Sequence, residues 1–563
     1  MNETLQTAVA TTVPEKRQFT PLESAAAWVC LLLGYLFCRV VPVVAHPLGG
    51  FLFILLLYAG ALLVLWKRGM RPGWMPLLAA ISAVAISSSL LFCAVPMIHT
   101  LAYLYALATL MYLLYAAGGN TLEQGFSDLL PADFFKALVL MPFAAFGELF
   151  RAIATGKLKS AGKVLLRIIV GVAVAFVPTL IVALLLSYDA AFTKLLENIF
   201  SFDLVEILSH IGSLLLGIPV GMYLFGAFVS SADRRCEKTL TAESCRTVSA
   251  KVRVVPAVTA VCAVLPILSL YVIFFISQWH YYISGFLGVL PQEFNYAEYA
   301  REGFFQLCAV SVINLIALAV VSLFMRRRDN RPPVLLKVLS LVFAVFTLVL
   351  IATAIAKMVM YIDCYGLTPK RVYATWFMLI LAAVFVLVIV RQFAQKLKLI
   401  AVSAAVCVTM FAGLSLVGVD GMIASYNVDR YLAGTLESVD LEAMEELGDA
   451  AIPHLVRLAQ HMDRQNGTNI ATFSENDLKD DDDYSAVAAS LYLMAADRED
   501  PTLFSFTLPQ ARATAALQEA GIGNKLTERC TQIYTYYTMG YSVADSLEAA
   551  EYEDEVFYDD VYY

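Results

Sequence analysis

Residues 399–430 read LIAVSAAVCVTMFAGLSLVGVDGMIASYNVDR, and the change of character inside this stretch decides the fold. Positions 399–419 carry no charged side chain and are long enough to cross a hydrocarbon core about 30 Å thick at about 1.5 Å of helical rise per residue. From Asp420 onward, acidic residues recur to the end of the chain. A membrane-spanning helix therefore ends near Gly418, and a polar region of different surroundings begins there.

Working back toward the N-terminus, the same pattern recurs. Uncharged or nearly uncharged runs occupy approximately 24–44, 47–66, 74–94, 98–117, 164–187, 206–230, 254–277, 303–325, 334–356 and 372–390, which with 399–419 makes eleven. Arg39, Arg167 and Lys337 fall near the ends of their runs, where a long side chain snorkels to the headgroups. The whole chain of 563 residues is 60% hydrophobic and 15% charged with a mean hydropathy of +0.71, which excludes an ordinary soluble globule and a disordered chain. The expected fold is all-α: a polytopic transmembrane helical bundle of about 11 spans with a small acidic, mainly helical C-terminal region.

Charge divides the chain at the same place. Met1–Val419 holds 31 Lys and Arg against 19 Asp and Glu, a net of +12, whereas Asp420–Tyr563 holds 8 against 28, a net of −20. Of the 31 basic residues, 25 fall in the segments on the N-terminal side of the array and 6 on the other side, namely Arg39, Lys194, Arg301, Lys357, Lys370 and Arg371. By the positive-inside rule the N-terminus is expected inside, and an odd span count puts the C-terminal region outside. Trp28, Trp66, Trp74, Trp279 and Trp376 lie at or near run ends, at the headgroup level such rings prefer.

The expected organisation is a polar segment 1–23, a multi-pass domain 24–419, an extramembrane helical region 420–545 and an acidic Tyr-rich tail 546–563. Segments 121–160, 188–204 and 278–302 read as interfacial helices, with re-entry of 135–150 into the bilayer as an alternative for the first. In the C-terminal region Asp440 is a candidate N-cap and Pro453 marks a break between helices. The run Lys479 to Asp483 lacks the alternating ligands and the glycine of an EF-hand loop. Ten Cys show no zinc spacing, although Cys364 and Cys530 both fall on the outer side, where a bridge is conceivable.

Candidate polar or substrate-site residues are few, and each has a structural competitor. In LVEILSHIGSLLLGIPVGMYLFGAF (204–228), Glu206, His210 and Ser213 share one face, as a proton relay or as a polar cluster at the interface. Pro219 lies within Gly217-Ile-Pro-Val-Gly221, as a broken helix at a transport site or as close packing with a kink. Ser311 and Asn314 read as polar glue between helices. Glu298 and Arg301, in an aromatic and charged outer connection, would form an ionic site with Asp363 and Lys370 or Arg371 if the two connections meet.

The pieces Asn295-Tyr-Ala-Glu-Tyr-Ala-Arg-Glu-Gly-Phe-Phe305, Tyr365-Gly-Leu-Thr368 with Arg371-Val-Tyr-Ala-Thr-Trp-Phe377, and Asn427-Val-Asp-Arg-Tyr431 leading to Asp449-Ala-Ala-Ile-Pro453 resemble an uncharacterised family of bacterial polytopic membrane proteins. That family is catalogued only as a domain of unknown function, and the resemblance covers roughly 230–460. It implies a multi-pass protein of a bacterial plasma or inner membrane and supplies no activity or catalytic residues.

Walker A, dinucleotide, HExxH and GxSxG motifs are missing, so no catalytic residue, cofactor or metal is assigned. The basic residues are accounted for by topology, and no nucleic-acid partner is expected. The expected partners are the lipid bilayer and an extracytoplasmic protein or envelope component meeting 420–563. Three function classes stay open: a membrane scaffold or sensor, a secondary transporter of a small solute, and a membrane enzyme acting on envelope or lipid precursors.

Overall fold

A computed structural model of the chain describes residues 17–41, 46–125, 127–155, scattered positions within 164–186, and 204–277, 296–326, 334–472, 482–498 and 502–522. Among these residues the fold is helical, with a single isolated β-bridge between Val255 and Met325.

Helices α1 (Pro21–Val40), α2 (Pro47–Lys67), α3 (Trp74–Ser87, continued by a 3-10 turn Ser88–Leu91) and α4 (Pro96–Ala117) run back and forth. Helix α5 runs over Leu130–Ala144 with a π-helical turn at Lys136–Leu140, and α6 covers Glu148–Thr155. Then follow α7 (Leu204–Ala232), α8 (Ala242–Val252), α9 (Ala257–Ser277), α10 (Tyr296–Phe324), α11 (Val334–Tyr365), α12 (Pro369–Phe393) and α13 (Leu399–Leu416). Proline at the first helical turn starts α1, α2, α4 and α12, where its missing N–H costs nothing.

Nine helices among the described residues are long and apolar enough to cross a membrane, and α5 with α6, bent by 48°, would make a tenth. This is a polytopic transmembrane bundle. Nine of the eleven expected runs coincide with these helices, and 254–277 coincides with α9, whose apolar core is the shorter Val261–Ile276. The run 164–187 and the segments 188–204 and 278–295 lie mostly outside the described residues. The segment 130–155 buries Leu149, Ala152 and Ile153 among Ala26 and Ala27 of α1 and Phe225, Phe228 and Val229 of α7.

Close backbone approach holds α1 to α7. A Cβ placed on Gly34 would lie 2.0 Å from the Gly217 carbonyl oxygen, and one on Gly221 would lie 2.8 Å from that of Cys30. Without a hydrophobic drive between helices in lipid, such small-residue contacts bring dispersion and dipole interactions close. Helix α7 runs on as a helix through Pro219, two residues after Gly217.

The basic end of the bundle is tied by charge. Glu23, 2% exposed, pairs with both Arg17 and Arg68, while Arg17 reaches Asp233 at 2.9 Å and Arg235 reaches Glu148 at 3.1 Å. Nearby, buried Asp133 accepts from the Tyr115 hydroxyl at 2.6 Å and the Leu122 amide at 2.9 Å, and the Lys136 ammonium donates to the Leu240 carbonyl at 2.9 Å. Within the second half of the bundle, the Asn314 amide donates to Thr347 Oγ1 at 2.9 Å and its oxygen accepts from Tyr271. These polar groups satisfy one another between α9, α10 and α11.

At the opposite end sits the C-terminal region: α14 (Val419–Leu432), α15 (Leu441–Glu446), α16 (Ile452–Asn466), α17 (Asp482–Ala496) and α18 (Leu508–Ala520). Asp440 caps α15 by accepting from the Ala443 amide at 2.9 Å, and Pro453 opens α16. Its core gathers Ile423, Val428, Met444, Leu455, Leu458 and Leu491, and Leu367, Val372, Tyr373 and Leu414 of the bundle pack against that core.

Candidate functional site

The α11–α12 connection, residues 362–371, is where the C-terminal region grips the bundle. Gly366 turns the chain at φ +74°, a conformation that L side chains rarely adopt. Thr368 then caps α12, its hydroxyl accepting from the Arg371 amide at 3.4 Å. The Arg371 guanidinium closes the turn from below, donating to the Tyr365 carbonyl at 2.8 Å and the Gly366 carbonyl at 2.6 Å while lying 4.2 Å from the centre of the Tyr361 ring.

Asn427 of α14 completes the turn from above. Its Oδ1 accepts from the Leu367 amide at 2.7 Å and its Nδ2 donates to the Leu367 carbonyl at 2.7 Å, so one side chain satisfies both backbone groups of a residue that no helix pairs. A Cβ on Gly366 would stand 2.6 Å from Asn427 Oδ1, so the glycine also makes room for the amide. Three residues on, one helical turn away, the Arg430 guanidinium donates to the Ile362 carbonyl and to Asp363 Oδ1, both at 3.4 Å, and to the Thr435 carbonyl at 2.8 Å.

A second contact lies seven residues, about two turns, before Asn427. Asp420 is 0% exposed, and its Oδ2 accepts from the Ala94 amide between α3 and α4 at 2.7 Å. The Cys93 thiol and the Tyr373 hydroxyl stand beside this carboxyl, 3.7 Å apart, and His99 Nε2 meets the Cys93 carbonyl at 2.8 Å. Burial pushes the Asp420 carboxyl above its ordinary value, outweighing the Ala94 hydrogen bond, and burial with Asp420 nearby pushes the Cys93 thiol up to about 12. A thiol so raised is protonated and a poor nucleophile near neutral pH. What this arrangement does chemically is bury a carboxyl and a thiol around a backbone contact at the base of α14.

The seven candidate residues fall at several places in the fold. His210 Nδ1 lies 2.7 Å from the Tyr35 hydroxyl on the α1–α7 interface, beside a groove of about 450 Å³ lined by Trp28, Leu31, Leu32, Ile211 and Leu214. Pro219 sits further along α7 at the glycine contact. Glu206 lies in the first turn of α7, and Glu298 and Arg301 in the first turns of α10, with side chains outside the described residues. Asp363 and Lys370 both turn to the C-terminal region, Asp363 to Arg430 at 3.4 Å and Lys370 to Glu446 at 2.8 Å. Of the two outer cysteines, Cys364 is exposed and Cys530 lies outside the described residues. Among the described residues, no group of three or more His, Cys, Asp or Glu is placed to hold a metal ion.

Asn427, Arg430, Asp420, Cys93 and His99 were not singled out as site residues from the sequence. The available signal was the Asn427 to Arg430 spacing of one turn on a polar helix directly after a span, opposite a Gly-Leu-Thr-Pro turn.

No curated protein and no solved structure matches the chain. A family model described as Domain of unknown function (DUF4153) matches residues 80–458, from the middle of α3 to the first half of α16, and so takes in both sides of the Asn427 and Asp420 contacts. The chain belongs to that family of domain of unknown function.

Proposed function

We propose that the protein is a membrane scaffold or sensor of the bacterial plasma or inner membrane, with its N-terminus inside and its acidic C-terminal region on the extracytoplasmic side. The observation that carries this reading is the Asn427–Leu367 clasp, which makes the first helix of the C-terminal region continuous with the α11–α12 turn. A partner or envelope component that shifts α14 would pull on α11, α12 and the α3–α4 connection together, because Arg430, Asn427 and Asp420 each hold a different one of these. The charge of −20 beyond Val419 suits a basic partner.

A second reading, a secondary transporter, is favoured by the Tyr35–His210 pair at the edge of an open groove. The two separate in a deletion strain complemented with variants of equal membrane abundance. A scaffold or sensor predicts that Asn427→Ala reproduces the defect of removing 420–563 while His210→Gln and Glu206→Gln restore growth. If His210→Gln fails to complement and Asn427→Ala succeeds, the scaffold reading falls and the transporter reading stands.

A further inference from the structure

Apolar side chains of the C-terminal region are gathered into its core, with one concentrated exception. Among its described residues, the exposed large apolar side chains are Met422 and three from a single short turn: Leu503 at 76%, Phe504 at 53% and Phe506 at 39%. The turn is rigid. Thr502 and Ser505 cap each other, the Thr502 amide donating to Ser505 Oγ at 2.8 Å and the Ser505 amide to Thr502 Oγ1 at 3.3 Å. Its flanks are fixed to the core by Arg498, which donates to the Gln510 carbonyl at 3.0 Å and Thr514 Oγ1 at 2.7 Å and pairs with Asp449 at 2.7 Å.

The place of this turn is what gives it a partner. Phe504 Cβ lies 3.7 Å from the point where a Cβ on Gly49 would stand, with Val40 and His46 around the same point. Gly49 is in the first turn of α2, a 21-residue membrane-spanning helix, so the turn is seated at the membrane boundary against the start of α2. Leu52 and Leu56 follow Gly49 on the same helical face at three and seven residues and are 45% and 50% exposed to the lipid. The apolar surface therefore continues from the lipid-facing stripe of α2 onto Leu503 and Phe504.

We propose that the Thr502–Phe506 turn is a membrane anchor, with Leu503 and Phe504 inserted at the boundary between headgroups and acyl chains of the bilayer that the spans cross. An isolated apolar turn at headgroup level beside a span is solvated by lipid, as interfacial aromatic and aliphatic anchors are. The C-terminal region is then fastened at three places: the Asn427 clasp, the Asp420 contact, and the bilayer itself on the α2 side.

The test uses the full chain in phosphatidylcholine liposomes. Leu503→Trp and, separately, Phe504→Trp are compared with the parent, whose five tryptophans supply the baseline, and the added emission is read by difference. The expected result is added emission that lipids brominated near the headgroup end of the acyl chains quench and that aqueous iodide leaves unchanged. Added emission quenched by iodide and untouched by brominated lipid overturns the anchor. Because Leu503 and Phe504 are both exposed, neither substitution needs the core to move, and either variant is decisive alone.

Discussion

The side-chain amide of Asn427 pairs with both the N–H and the C=O of Leu367, each at 2.7 Å, and so joins the first helix of the C-terminal region to the turn between α11 and α12. The two residues are 60 positions apart in sequence. A side chain that satisfies a backbone donor and acceptor at once leaves two unpaired groups when it is removed.

Asn427→Ala is therefore expected to lower stability by about 2 kcal/mol, since each buried group left without a partner costs about 1–3 kcal/mol and water reaches part of this site. Limited proteolysis should show the cut rate at 362–371 rising, with the spans still folded. Unchanged proteolysis and melting would mean that the clasp contributes nothing.

Gly366→Ala is expected to cost at least as much as Asn427→Ala. The residue sits at φ +74° and its new Cβ would stand 2.6 Å from Asn427 Oδ1, so backbone strain of about 1–2 kcal/mol adds to loss of the clasp. In the Asn427→Ala background the steric part should shrink, and a double-mutant cycle by thermal melting reads that coupling. Strict additivity would place the two residues in separate interactions.

Asp420 makes stability depend on pH in an unusual direction. Folding raises its carboxyl above the ordinary value of 3.8, through burial, so the protonated form is the one that folding favours. Its contribution is full below 3.8 and is lost as pH rises through the raised value in the folded state. Asp420→Asn keeps an acceptor for the Ala94 amide and carries no charge, so it should flatten that dependence and melt higher than the parent at pH above the raised folded-state value. A variant that melts lower than the parent across the whole range would show the carboxylate to be the favoured species.

Gly34→Ala is expected to abolish a folded, monodisperse preparation or lower its melting temperature severely, because its Cβ would meet the Gly217 carbonyl oxygen at 2.0 Å and backbone cannot move aside cheaply. Gly60→Ala, with nothing within 4 Å, is the matched control and should be neutral or slightly stabilising by reduced freedom of the unfolded chain. Equal behaviour of the two in detergent melts would remove the α1–α7 contact as an organising feature.

Asn314→Leu should destabilise the second half of the bundle by about 1 kcal/mol, the usual worth of an interhelical hydrogen bond in a membrane. The loss should be smaller when Thr347 is already Val, since the Asn314 amide and Thr347 Oγ1 lie 2.9 Å apart and share the bond. Melting of the single and double variants checks this.

Much of the architecture is legible in residues alone because it follows from one-dimensional facts. An uncharged run such as 399–419 has to be a helix of bilayer length, since lipid offers its backbone no hydrogen bonds. Gly217 and Gly221 announce a close helix contact, but not that its partner is Gly34, 183 positions earlier. The partners of Asp363 and Lys370 were not legible for a similar reason. Asp363 and Lys370 have the charges to pair with other outer-loop residues, but the partners that reach them are Arg430 and Glu446, brought there by the docking of a region read as separate.

Hydropathy and charge determined by themselves that this is a helical membrane protein with an acidic appendage, because crossing a bilayer and sorting charge are properties of segments taken one at a time. Only the tertiary structure decided that the appendage is clasped to the bundle, and through Asn427, Arg430 and Asp420. The reason is physical: a hydrogen bond to a backbone group such as the Leu367 amide or the Ala94 amide depends on a position in space, and no side chain at 367 or 94 encodes it.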